Sequence, residues 1–318
     1  MNNDFDHAAE RRNGFLFGIA AYAFWGFLPI YFKQLPEVSP IDVVAHRVLW
    51  SIPLLMALLA GTGRVPGLVV ALKDRRLVRL LALTALLIAI NWLLYIYAIV
   101  NGHILAGSLG YYLNPLMNVV LGRFILKERM SRLQWFAVGL AAIGVMALAI
   151  GALDQLWISL GLCVSFATYG LLRKMAPVDS PVGLTIETLL LLPFAIGWLA
   201  LGLAAGKPSF GATPHDSWLL LAAGLVSTTP LLLFTAAARK LPYSTLGMLQ
   251  FIAPTLQFLL AVGVYGEPFT TAHAFAFGAI WTALALFVFA LRRGGAAPTV
   301  RERIAAPAAA RRSSPASG

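Results

Sequence analysis

Apolar residues run along this chain in blocks of membrane length, separated by short polar breaks. A transmembrane helix needs about 20 mainly apolar residues. By that measure ten segments emerge, at 14–34, 42–61, 77–99, 104–125, 132–151, 154–173, 182–204, 216–238, 243–266 and 269–291. They predict an all-α integral membrane protein with ten transmembrane helices. The polar start, Met1 to Asn13, leads into a segment too long for a signal-peptide core and followed by no small-residue cleavage site, so it reads as a retained first helix. From Arg292 onward the chain is rich in Ala, Pro, Arg and Ser without apolar periodicity, which predicts a disordered tail over 292–318.

The pattern repeats. Pro115, Glu128 and Gly139 recur 139 residues later as Pro254, Glu267 and Gly278. Phe136-Ala137 recurs as Phe275-Ala276, and Asn118 falls on Gln257. Two repeats follow, 14–151 and 154–291, with 1–13 as a polar N-terminus. Five helices per repeat is an odd number, so the second repeat enters the membrane from the opposite side. Inverted repeats of this kind are built around a shared central site in secondary transporters.

Composition agrees with a membrane setting: 59% of residues are hydrophobic and 12% charged, about half the charged share of a soluble domain. The net charge of +11 would suit nucleic acid, but the basic residues sit in short clusters between apolar blocks, as topology signals do. With the N-terminus inside, 21 of the 24 Lys and Arg fall on the cytoplasmic side, leaving Lys33, Arg47 and Lys207 outside. Both termini are therefore expected to be cytoplasmic, with lipid and a small-molecule solute as partners and no nucleic acid. Gly14 and Gly18 could pack helices within one chain or between two, so monomer and homodimer both stay open.

Polar groups inside the segments are the functional candidates. Gly110, Asn114, Asn118 and Gly122 share one face of the fourth segment. They are either a polar stripe facing a cavity or interhelical glue, and the match of Asn118 to Gln257 favours the cavity. Asn91 and Tyr95 stand one turn apart, Tyr22, Trp25 and Tyr111 add rings with polar tips, and Gln250 and Gln257 complete the expected lining. Pro115 and Pro254 should kink their helices. His46, Arg47 and Glu187 are ionisable groups inside the apolar blocks, where charge is costly. Glu187 is the candidate for proton coupling, or else a structural partner; its offset from Arg47 argues against a direct pair. Glu128 and Glu267 end the fourth and ninth segments, where each carboxylate could accept N–H bonds from the start of the next helix.

No catalytic constellation, metal spacing or phosphate-binding loop is present, so neither an enzyme nor a cofactor is expected. Cys163 is single and reads as a small packing residue. The alternatives to a solute carrier are a lipid-headgroup flippase, whose cavity would open sideways to the bilayer, and a non-transporting partner subunit, for which inverted symmetry would serve little.

Longer stretches carry a family resemblance. They include A-Y-A-F-W-G-F-L-P-I-Y-F-K from Ala21, H-R-V-L-W-S from His46, N-W-L-L-Y from Asn91 and S-L-G-Y-Y-L-N-P-L-M-N-V-V-L-G from Ser108. In the second half stand S-F-A-T-Y-G-L-L-R-K from Ser165, I-E-T from Ile186, S-T-L-G from Ser244 and Q-F-I-A-P-T-L-Q-F-L-L-A-V from Gln250. Over about residues 14–291 the chain resembles the drug/metabolite transporter superfamily, EamA type, RarD branch. That resemblance implies two inverted five-helix repeats, a bacterial inner-membrane location and secondary transport of a metabolite or drug, amino-acid-like or chloramphenicol-like. It implies no particular site residues.

Overall fold

The computed structural model of the chain describes residues 2–101, 103–149, 154, 156–266 and 271–294. Their secondary structure is helical, without strands among the described residues. In order they form α1 (Asn2–Phe32), α2 (Pro40–Gly61), α3 (Val65–Lys73), α4 (Arg75–Val100), α5 (Ile104–Phe124) and α6 (Arg132–Ala149). The second half holds α7 (Leu156–Met175), α8 (Ser180–Ala204), α9 (Pro214–Lys240), α10 (Tyr243–Gln250), α11 (Ile252–Gly263) and α12 (Thr271–Gly294). Among the described residues, nine helices or helix pairs are long and apolar enough to cross a membrane. Glu267 and the tail from 295 lie outside the described residues.

Two features depart from the ten-segment expectation. The short helix α3 lies in the stretch between the second and third segments, where no helix is expected. It tucks Leu68 and Ala71 against Leu59 and Val182, and Asp74 behind it accepts the N–H groups of Arg76 and Leu77 at 2.9 and 3.1 Å, starting α4. The ninth segment divides at Phe251. Pro254 has no N–H to give the carbonyl of Gln250 and its ring crowds that carbonyl; the chain turns tighter there, with Phe251 N–H on Met248 O at 3.3 Å. Pro115 leaves the corresponding α5 continuous. The two prolines are therefore not equivalent in structure.

Large apolar side chains cover the outside. Phe136, Phe194 and Trp218 are 62%, 76% and 70% exposed, which suits lipid and would be a liability in water. Inside, small residues set the contacts, since helices in lipid associate by close packing. The main pairings are α6 with α12, α5 with α7 and α10, α2 with α8 and α9, α1 with α9 and α11, and α4 with α7. At Gly224 an added Cβ would collide with the Trp50 carbonyl on α2, and beside it Thr228 donates to Ser51 at 2.6 Å. At Gly247 an added Cβ would stand 2.8 Å from both Pro115 O and Asn118 Cβ on α5.

The contacts also define two ends of the bundle. One end joins Glu128, Lys174, Leu241 and Tyr243. The opposite end joins Tyr31 to Leu219, His46 to Ser209 and Lys33 to Tyr265.

Gly247→Ala should destabilise the fold by about 1–3 kcal/mol, because a methyl is forced into packed backbone. Gly139→Ala and Gly278→Ala, which meet nothing within 4 Å, should be neutral. Thermal unfolding of the three variants in detergent measures the difference.

Candidate functional site

Between the middle of the bundle and its Tyr31 end lies a cavity of about 190 Å³. Helix α1 contributes Tyr22, Trp25 and Phe32; α4 contributes Asn91, Trp92 and Tyr95; α10 and α11 contribute Gln250, Pro254 and Gln257. Arg47, Tyr111, Phe166 and Leu231 complete the main lining. The volume is below the roughly 300–1,000 Å³ usual for drug-sized ligands.

Seven of the nine expected cavity residues line this space: Tyr22, Trp25, Asn91, Tyr95, Tyr111, Gln250 and Gln257. Asn114 and Asn118 do not. The stripe they belong to is a helix seam rather than a cavity wall. Gly110 meets Leu162 on α7 and Gly122 meets Ser244 on α10, and with Gly247 laid on Pro115 and Asn118, α10 covers that face. Asn118 Nδ2 donates to Gln250 Oε1 at 2.9 Å, while both polar atoms of buried Asn114 lack a hydrogen-bond partner. Gln257, the counterpart of Asn118, donates instead to Trp25 O at 3.0 Å. Asn91 Nδ2 bridges to Leu162 O at 2.9 Å and Ser165 Oγ at 3.0 Å, fixing α4 on α7 beside the cavity.

The cavity is blind toward the Glu128 end. Tyr22, Trp25, Phe166, Tyr169 and Phe234 pack ring against ring beneath it. Below them the chain is tied by polar bonds. Glu128 accepts the N–H of Tyr243, and the N–H and hydroxyl of Ser244 at 3.0 and 2.7 Å. By its place in the chain this carboxylate is expected to accept from the next helix, α6. The structure gives it to α10, across 115 residues, while Ser131 and Gln134 cap α6 reciprocally. Lys174 donates to Ala238 O at 2.6 Å and to Leu241 O, closing the last turn of α9.

Glu187 is 2% exposed. It accepts the Thr84 hydroxyl, lies 3.5 Å from the Tyr169 hydroxyl and pairs with Arg173 Nε at 3.5 Å. Arg173 counted as a cytoplasmic topology signal in the sequence. It is instead buried, and Gly183 makes its room, since a Cβ there would collide with the guanidinium. The signal available was that a carboxylate inside α8 needs a cation, and Arg173 and Lys174 both stand just across the α7–α8 turn. Glu187 and Arg47 border one narrow cavity with Ser51, Tyr169 and Thr228, without a direct ion pair. His46 contacts Ser209 at 3.1 Å, and its neighbour Asp42 accepts from Trp198 at 2.7 Å.

Known proteins share this architecture and sequence. A solved crystal structure matches 88% of this chain and 99% of its own with a TM-score of 0.68 at 20% identity, a likeness of fold. Residues 12–150 match the model of the EamA-like transporter family. RarD of Escherichia coli is 44% identical over 289 residues, 88% of this chain and 95% of the relative. The chain belongs to the EamA-type transporters, in the RarD branch. An uncharacterized transporter of Pseudomonas aeruginosa is similar as well, 46% identical over 287 residues, 88% of this chain and 95% of that one. This RarD-branch chain is thus a membrane transporter rather than an enzyme, and a multi-pass protein of the bacterial inner membrane.

Glu128→Gln should lower stability by about 1–3 kcal/mol, since an amide turns one donor toward the buried N–H groups of α10. Ser244→Ala, which removes one of the bonds, should cost about 1 kcal/mol. Unfolding midpoints in detergent rank the two, and equal midpoints for wild type and Glu128→Gln would refute the tie.

Proposed function

We propose that this protein is a secondary-active carrier of a small amphipathic metabolite or drug. It works by alternating access between two inverted five-helix halves, 14–151 and 154–291. The observation that carries the reading is the cavity, lined by rings and amides and extending toward the Phe32 end of α1, with aromatic packing and the Glu128 and Lys174 bonds on its other side. A carrier caught facing one side has this form.

The packing supports two equivalent halves. Pair α1 with α7, α2 with α8, α4 with α9, α5 with α10 and α11, and α6 with α12. Exchanging partners turns α1–α9 into α7–α4, and α5–α7 into α11–α1, all of which are observed contacts. The pairs α2–α8, α5–α10 and α6–α12 map onto themselves. With the basic residues assigning the Glu128 end to the cytoplasm, this state faces outward.

Glu187 is the proposed coupling group. It is a buried carboxylate next to a narrow space that Arg47 shares with the central cavity. Its partner Arg173 would hold the charged form, and a proton on Glu187 would release that pair for rearrangement.

Purified protein in liposomes, offered labelled amino acids, their amides and chloramphenicol, should show saturable uptake that rises severalfold under an imposed pH gradient. Glu187→Gln should keep counterflow and lose the gradient response. Flux that responds to the gradient equally in the variant would remove Glu187 from the coupling role, and absence of flux with folded protein would remove the carrier reading.

A further inference from the structure

We propose that the cavity takes a small organic monoanion, an apolar or aromatic body carrying one carboxylate, and that Arg47 binds the carboxylate. This rests on the carrier reading above and narrows it to a substrate class.

Arg47 is the cation of the cavity. It borders both the central space and the narrower one beside Glu187. Its guanidinium carbon lies 3.9 Å from the centre of the Trp92 ring. That contact holds the charge by attraction to the ring face and consumes none of its N–H donors. Nε is shielded and has no hydrogen-bond partner, and no ion pair to Arg47 occurs among the described residues. An N–H of a guanidinium kept from water without an acceptor is costly, while the half-buried head of Arg47 leaves its remaining N–H groups facing the cavity. The fully buried guanidinium of Arg173 is by contrast held against Glu187 and Ser180 O. The absence of such a fixed partner at Arg47, in a wall of an open cavity, is what a binding group awaiting its ligand looks like.

The rest of the lining sets the sign and shape of that ligand. No Asp or Glu is among the described cavity residues, so an ammonium group would find no counter-charge there. Glu187, in the adjoining narrow space, is engaged by Thr84 and Arg173. Trp25, Tyr95, Tyr111 and Phe166 supply apolar faces, and the Tyr95 and Tyr111 rings meet edge to face at 5.4 Å. A planar guanidinium fork matches a carboxylate through two parallel bonds. One arginine suits one negative charge; a phosphate dianion would ask for more cations than the cavity offers.

The test titrates full-length protein in detergent with 3-phenylpropionate, its primary amide and 3-phenylpropylamine, by calorimetry. The carboxylate should bind at least tenfold tighter than either relative. Arg47→Gln should abolish that preference, and Arg47→Lys should retain part of it. If Arg47→Gln does not fold, the wild-type ranking and the lysine variant decide. Equal or tighter binding of the amide or the amine, undiminished carboxylate preference in Arg47→Gln, or binding of none of the three would overturn the proposal. Counterflow in liposomes separates it from the carrier reading. Carboxylate-selective binding without flux leaves the anion site and removes the carrier. Flux that prefers the amide or the amine leaves the carrier and removes the anion site.

Discussion

At the start of α10 the backbone N–H groups of Tyr243 and Ser244 are buried, and lipid has no acceptor to give them. Glu128, from the turn between α5 and α6 in the first half of the chain, supplies both oxygens. Its charge also suits the positive end of the helix. That one requirement sets much of the structure around it. It draws α10 onto α5, where Gly247 permits backbone contact with Pro115. With α10 in place, the face of α5 that bears Asn114 and Asn118 is covered. The rings of Tyr22, Tyr169 and Phe234 close over the joint, and the central cavity extends toward the other end.

The sequence was most legible where one physical rule acted on long stretches. Apolar block length located nine of the ten expected spans among the described residues, because hydrocarbon thickness permits little else. Aromatic and amide residues near the middle of those blocks pointed to seven of the cavity residues, since polar tips inside lipid need a purpose. Legibility failed where the outcome depended on which helix lies beside which. Asn114 and Asn118 carry the same local pattern as a cavity stripe, and only the seat of α10 makes them a seam. Glu128 reads locally as a cap for α6; its partner lies in the other half of the chain. Arg173 reads as a topology signal until Gly183 and Glu187 are seen to enclose it. Pro115 and Pro254 match in sequence, yet only the second accompanies a break, at Phe251. The repeat therefore marks where the chain bends without setting how far.

The joints differ in what parting them would cost. The α6–α12 seam is built from close apolar contact, with Gly144 against the Ala276 carbonyl and Ala137, Ala141 and Ile280 buried along it. Separating such a seam exposes packed surface and gains nothing in return. The joint at Glu128 and Lys174 is polar. When it parts toward water, each bond is replaced by one to solvent, so the net cost is about 0.5–1.5 kcal/mol per bond rather than its full strength. Under the proposed alternating access, that contrast divides the bundle. The apolar seam between α6 and α12 is the fixed axis, and the polar joint, in which Glu128 links the two halves and Lys174 ties α7 to α9 within the second, is the part that can open and reseal. Glu128 and Lys174 sit where a gate must be both closed and reversible. Arg47 and Glu187 sit above it, where an anion supplying the acceptor that Arg47 lacks and a proton releasing the Glu187–Arg173 pair can each bias the rearrangement.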